Sequence, residues 1–344
     1  MIQPSHILVI RLSAMGDVAM TVPVIRALIQ QYPKIKLNIL SRRSFEPLFA
    51  DLPNVHFLEA DVYGKHKGFF GLLKLAKEIK TLRIDAVADL HNVIRSKIIV
   101  RNLSLKGIQT ASIDKGRAEK KKLTNAKGLG LVQLKSTHQR YADVFEQLGL
   151  LIDLSAHQAP ERKPLSSRLL TLIGNEPKKC IGIAPFAAYS SKMYPMTSTK
   201  EVIAHLDELD QYRILLFGGG KEEIAELVAM ESSLSNVTNV AGALTFSEEL
   251  DLISNLDVMV SMDSANGHLA AMYGIPVITL WGVTHPYAGF TPFQQAEKNQ
   301  LMADRNTYPL IPTSVYGNKF PPDYENAMES IPSERVIRKI LEIL

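Results

Sequence analysis

Residues 6–31 read HILVIRLSAMGDVAMTVPVIRALIQQ. The apolar run His6–Leu12 has the length and character of a buried strand, and Thr21–Gln31 has helical spacing. Between them the chain turns through Arg11-Leu-Ser-Ala-Met-Gly-Asp17. In a doubly wound α/β domain, this first strand-to-helix turn is where ligands meet the sheet. Gly16 is its only glycine, so the GxGxxG pattern of a dinucleotide site is missing. Asp17 could cap the following helix, as short acids often do. A helix starting at Asp17, however, would carry Pro23 too far inside. Thr21 as N-cap puts Pro23 near the tolerated first turn. The reading therefore leaves Asp17 in a loop facing a cleft, with a functional role.

The same alternation spreads outward from this segment. In the N-terminal half, strands are predicted at Lys36–Leu40, Val55–Leu58 and Ala86–Leu90, and helices at Phe69–Leu82 and Tyr141–Leu148. Residues 153–178 contain Pro160, Pro164 and Pro177 without periodicity and are predicted to link two domains. Beyond them the pattern resumes. Strands are predicted at Cys180–Ala184, Arg213–Phe217, Val258–Ser261 and Pro276–Trp281, with helices at Thr199–Leu209, Lys221–Met230, Ser247–Ser254 and Gly267–Tyr273. The tail Ser333–Leu344 is an amphipathic helix. The expected fold is α/β, with two Rossmann-like domains facing each other across a cleft and ligands at the carboxyl ends of the strands. Expected boundaries are 1–165, 166–325 and a C-terminal helix 326–344 that packs back on the N-terminal domain.

Composition limits the function classes. The 344 residues are 46% hydrophobic and 22% charged, ordinary for a soluble globular protein of two domains. No apolar run reaches the roughly 18 residues of a membrane span. The N-terminus lacks the basic region and cleavage site of a signal peptide. Cys180 is the single cysteine, set in an apolar run, and reads as a buried inert thiol in a reducing cytoplasm. The net charge of +4 is concentrated. Lys115, Arg117, Lys120, Lys121, Lys122, Lys127 and Lys135 face only Asp114 and Glu119 as local acids. Such a segment attracts phosphates, or is simply a solvated loop. It lacks the aromatic platform expected of a nucleic-acid binder.

Three further motifs follow strands of the second half. In Asp263-Ser-Ala-Asn-Gly-His-Leu-Ala270, small residues and Gly267 open backbone N–H groups to an anion, and the next helix points its positive end there. That suits a diphosphate. In Phe217-Gly-Gly-Gly-Lys-Glu-Glu223 an acid can accept from ribose hydroxyls, with Glu222 and Glu223 undecided. In Ser190-Ser-Lys-Met-Tyr-Pro195, Lys192 gains weight because it lies at the same sheet edge as the diphosphate loop.

RLSAMGDVAMTVPVIRAL and DVMVSMDSANGHLAAMYGIPVITLWG resemble the opening and nucleotide-binding motifs of the ADP-heptose:lipopolysaccharide heptosyltransferases, glycosyltransferase family 9. The resemblance implies a GT-B fold and metal-independent, inverting transfer with ADP as leaving group. It makes Asp17 the general base, Lys192 the phosphate lysine, Glu222 the ribose acid, and Asp263, Ser264, Gly267 and His268 the diphosphate loop. One departure is visible: the family's loop often begins Asp-Thr-Gly, whereas here it begins Asp263-Ser264-Ala265.

We therefore place Asp17 and Lys192 in catalysis. Ser13, Gly16, Lys192, Glu222, Asp263, Ser264, Asn266, Gly267 and His268 are assigned to the nucleotide sugar. Arg95, Lys120, Lys121, Lys122 and His138 are assigned to an anionic, lipid-linked saccharide acceptor. No metal or cofactor is expected, and no nucleic-acid partner. The enzyme is expected in a bacterial cytoplasm, touching the inner face of the inner membrane peripherally. The alternatives are a GT-B-like nucleotide-sugar epimerase and a nucleotide-sugar-binding protein without catalysis; an intact Asp17 speaks against the latter.

Overall fold

The computed structural model describes residues 3–174, 176–232 and 234–344. The chain divides into two compact units. The first joins Met1–Lys115 with Thr137–Gln158, and the second joins Gly116–Ser136 with Ala159–Leu344.

In the first unit β1 (His6–Ile10) runs into α1 (Met15–Ala19) and α2 (Thr21–Gln31). Then follow β2 (Lys36–Ser41), β3 (Val55–Glu59), α3 (Gly68–Lys80), β4 (Ala86–Asp89), α4 (Ile94–Ser104) and β5 (Gln109–Ser112). After α5 (Arg117–Asn125), which belongs to the second unit, α6 (Thr137–Gln147) closes the first. Its described strands are all parallel, in the order β3-β2-β1-β4-β5. The sheet is covered by helices, so β1, β2 and β4 are buried along nearly their whole length rather than on alternate residues. Leu8, Ile10 and Val87 pack with Leu72, Leu75 and Ile79 of α3 and with Ile99 and Leu103 of α4.

The second unit contains α7 (Ser167–Ile173), β6 (Lys179–Ala184), α8 (Met196–Glu208), β7 (Tyr212–Leu216), α9 (Lys221–Glu231) and β8 (Val237–Asn239). It continues with α10 (Phe246–Ile253), β9 (Val258–Met262), α11 (Ala265–Ala271), β10 (Val277–Trp281), β11 (Gln300–Met302) and α12 (Ser333–Ile343). Its described strands are also all parallel, in the order β11-β10-β9-β6-β7-β8. Both sheets therefore have the doubly wound order, with the strand sequence reversing beside β1 in one and beside β6 in the other. The crevices at the carboxyl ends of β1 and β4, and of β6 and β9, are where such sheets bind ligands.

Three expectations need correction. The terminal helix α12 belongs to the second unit rather than forming a separate element. Its Val336 and Ile340 are buried in the second unit's core with Ile203 and Leu206 of α8. The segment 116–136 leaves the N-terminal unit for the second, because its turn at Gly128 lies against Pro309 and the Leu134 N–H donates to the Tyr287 carbonyl at 2.9 Å. Asp17 is not in a loop. It is the third residue of α1, and α1 runs into α2 through Met20 in helical conformation, so Thr21 has no extended cap position to fill. The Thr21 hydroxyl instead donates to the Val18 carbonyl at 2.7 Å.

Candidate functional site

The first unit's crevice is built by the turns after β1 and β4. The Arg11 guanidinium meets Asp17 Oδ2 at 2.5 Å and also donates to the Leu90 carbonyl at 2.8 Å. The Ala14 N–H reaches the same Oδ2 at 3.4 Å, so Asp17 does supply a helix-start hydrogen bond. Both contacts fall on one oxygen. Among the described residues Oδ1 has no partner, and the side chain remains 32% exposed. Below it, the buried Tyr141 hydroxyl of α6 donates to the Asp17 carbonyl at 3.2 Å. Sequence reasoning missed Arg11, although it stands in the quoted turn itself.

His91, after β4, was also missed, since nothing in its neighbourhood marks it. The Leu12 N–H donates to its Nδ1 at 3.4 Å, which leaves the proton on Nε2, 3.5 Å from Ser13 Oγ. Burial, with Arg11 and Lys115 nearby, pushes its pKa down to about 3, so this imidazole is neutral and accepts from the Leu12 backbone. Asp89 accepts from His91 N–H, Asn92 N–H and Ser96 Oγ at 3.0, 2.8 and 2.9 Å and fixes the same turn. Gly16 lies in α1, one residue before Asp17.

The second unit's crevice brings together residues 71 positions apart in sequence. Lys192 Nζ donates to Asp263 Oδ2 at 3.1 Å, and the two side chains are only 12% and 10% exposed. An ammonium has three donors, so two stay available beyond Asp263. Ser264 is the extended N-cap of α11, and its buried Oγ has no hydrogen-bond partner among the described residues. This hydroxyl is free to hydrogen-bond a ligand oxygen at the start of α11. Asn266 is half-buried and His268 buried within α11. Gly267 has a packing role that the sequence did not reveal. A Cβ there would lie 2.6 Å from Ser261 Oγ, so glycine lets α11 lie on β9.

After β7, Glu223 Oε2 accepts from the Gly219 N–H at 2.7 Å and is consumed in fixing its own turn. Glu222 is exposed. The two acids thus differ in surroundings, one bonded to its own turn and the other exposed.

The residues assigned to the acceptor are divided between the two units. Arg95 is exposed on α4, 5.7 Å from the Tyr63 ring centroid. His138 is buried in the first turn of α6. On α5, Lys121 and Lys122 are exposed, but Lys120 is buried with its ammonium 4.1 Å from the Phe290 centroid. No group of three or more His, Cys, Asp or Glu placed to hold a metal occurs among the described residues. No helix among them is long and apolar enough to cross a membrane.

Comparison with known proteins gives a consistent result. The family model described as glycosyltransferase family 9 (heptosyltransferase) matches residues 72–318. Lipopolysaccharide heptosyltransferase 3 of Escherichia coli K12 is 28% identical over 282 residues, spanning 78% of this chain and 80% of that protein. A family 9 glycosyl transferase from Veillonella parvula superposes with a TM-score of 0.75 at 17% identity, over 98% of this chain and 97% of that one. E. coli heptosyltransferase WaaC, solved with ADP, superposes with a TM-score of 0.67 at 18% identity, over 98% and 100%.

Proposed function

The chain belongs to glycosyltransferase family 9, the heptosyltransferases, and on that premise we propose that it transfers heptose from ADP-heptose to a lipopolysaccharide-core saccharide with inversion. The observation that carries this reading is the Lys192–Asp263 pair beside the unpartnered Ser264 hydroxyl, at the crevice of the second sheet. The second unit takes the donor, Asp17 of the first unit deprotonates the acceptor, and α5 of the second unit also contacts the acceptor.

The chemistry follows from these groups. A sugar hydroxyl has a pKa far above neutrality, so its proton must leave as it attacks the anomeric carbon. Asp17 Oδ1 takes that proton, while Arg11 on Oδ2 fixes the carboxylate's orientation. As the bond to the diphosphate breaks, negative charge grows on ADP. Lys192 and the Ser264 hydroxyl stabilise that charge, and they do so more strongly in the transition state than in the bound donor. His91, neutral and turned toward Ser13, is a positioning residue. Glu222 accepts from the ribose.

Transfer in this reading needs no metal. The exposed Lys121 and Lys122 of α5, with Leu129 79% and Val132 70% exposed just beyond, form the contact with an anionic lipid-linked acceptor and the inner face of the membrane. The test is to follow ADP release from ADP-heptose with and without a Kdo-type lipid acceptor, before and after chelation. Acceptor-dependent release that survives chelation is expected. Release without acceptor, or epimerised donor as product, would replace transfer by the epimerase reading.

A further inference from the structure

In the second unit a tight turn, residues 314–318, covers the stem of Lys192. Ser191 Oγ donates to the Gly317 carbonyl at 2.6 Å. Within the turn, the Gly317 and Tyr316 N–H groups both donate to Ser314 Oγ, at 3.0 and 3.2 Å. Gly317 has φ +85°, and a Cβ there would lie 2.7 Å from both Cγ and Cδ of Lys192. A glycine is therefore required for the turn to lie on the lysine.

The turn delivers one large side chain. Tyr316 is 56% exposed, and its ring centroid is 6.0 Å from that of the half-buried Phe290, with the planes inclined at 52°. Phe290 is itself held from behind. It follows Gly289, whose φ of +83° bends the backbone against the Lys135 carbonyl, and it carries the Lys120 ammonium on its face. An exposed tyrosine alone would be unremarkable. This one is fixed through its own backbone to the residues that position Lys192, with a braced aromatic ring beside it.

We propose that Tyr316, backed by Phe290, forms the wall against which the transferred sugar packs. The inference rests on the reading of Lys192 as a diphosphate residue. A sugar bonded to a phosphate held by the Lys192 ammonium lies within a few ångströms of it, and Tyr316 is one residue, about 3.8 Å of backbone, from the glycine on the Lys192 stem. A sugar ring offers an apolar C–H face to an aromatic surface and keeps its hydroxyls for polar partners, the division of labour found in ligand pockets. Lys120 then acts through Phe290 rather than by touching substrate.

The wall would be felt by ADP-heptose and not by ADP. Dissociation constants for both are measured on the intact wild-type protein and on Tyr316→Ala, Tyr316→Phe and Phe290→Leu. With Tyr316→Ala the ADP constant should hold, while ADP-heptose binding weakens about 3–10-fold, the worth of one aromatic contact. Tyr316→Phe should restore it, and Phe290→Leu should lose part of it. ADP binding by each variant also reports that the second unit is folded. Equal weakening of ADP and ADP-heptose would overturn the proposal, by showing that the turn merely supports Lys192. An unchanged ratio in every variant would also overturn it while leaving the donor reading intact. Failure of the wild type to bind ADP would remove the donor reading, and the wall with it.

Discussion

Asp17 and Lys192 carry the heaviest claims, and each has a single-residue test. If Asp17 Oδ1 removes the acceptor proton, Asp17→Asn should lower kcat by roughly 10²–10⁴-fold, the worth of a positioned general base. The loss should appear equally in kcat/KM, as for an interaction made only in the transition state. Because Asp17 also accepts from the Ala14 N–H and pairs with Arg11, the variant should melt somewhat earlier as well. A less stable enzyme with normal single-turnover rate would leave Asp17 as a cap only. Lys192→Ala removes the partner of a carboxylate that is only 10% exposed, and removes a charge-assisted bond to phosphate. ADP binding should weaken by about 1.5–3 kcal/mol, roughly 10–150-fold. Titration calorimetry showing undiminished ADP affinity would take Lys192 out of the donor site. At this scale the sequence singled out Asp17, Lys192 and Asp263 because each follows a strand within a motif, but it passed over Arg11 in the same turn as Asp17. It was not legible for His91, which reaches Ser13 only because β1 and β4 are neighbours in the sheet.

Elements with a continuous apolar run or a strong helical stripe were predicted nearly to their ends. Those whose residues are mostly polar were not. β5 is Gln-Thr-Ala-Ser and β8 is Val-Thr-Asn, edge strands with a single apolar residue each. α1 was missed because its five residues are too few to show a period. α5 looked like a charged segment because only Lys120 and Leu123 of its nine residues are buried, and one of those is a lysine. Its charge is thus divided between a packed ammonium and exposed ones. Replacing the exposed Lys121 and Lys122 by Gln should raise the KM for an anionic acceptor by about five-fold each, near 1 kcal/mol per lysine at an anionic surface. The effect should shrink at high salt, since exposed charges are screened. A KM unchanged at low ionic strength would return α5 to a solvated face.

The element scale also fixes a pH response. The turn after β4 buries His91 with a folded pKa near 3 against an ordinary 6.5. A base whose folded pKa is depressed contributes stability that is fully present above 6.5. That contribution is lost as pH falls toward the folded value, because the unfolded chain binds the proton first. Between pH 6.5 and 5 the loss from His91 alone is about 2 kcal/mol. His285 and His157, both lowered to about 4 by burial, act in the same direction. Glu249 acts oppositely. Burial raises its carboxyl to about 7, so its contribution is present below 4.5 and lost as pH rises through 7. Melting temperature should therefore fall on acidification from pH 6.5, and His91→Asn should flatten that fall. A slope unaltered by the substitution would mean that His91 is protonated in the folded protein.

At the scale of the whole molecule, the doubly wound order of each sheet was legible and the division of the chain was not. Alternating strands and helices imply parallel sheets, and two such runs imply two units. Nothing in a lysine-rich segment, however, reveals that residues 116–136 pack with the chain beyond 159. That exchange makes the units discontinuous, so a simple C-terminal fragment would lack part of its own unit, and the donor assignment is better tested on the full chain. The sequence supplies the probe. Trp281 is the only tryptophan, and it is fully buried on β10 with its indole N–H on Gln300 at 3.0 Å. Its fluorescence reports unfolding of the second unit, whereas circular dichroism reports both. ADP at one hundred times its Kd stabilises what it binds by about 2.7 kcal/mol. For a unit of this size that raises Tm by about 5–11 °C. If the donor site is in the second unit, the tryptophan transition should move by that amount with ADP, and Lys192→Ala should remove about half to nine-tenths of the shift at the same ADP concentration. If ADP moves the dichroism transition while the tryptophan transition stays in place, the nucleotide is binding the first unit and the assignment of donor and acceptor must be exchanged.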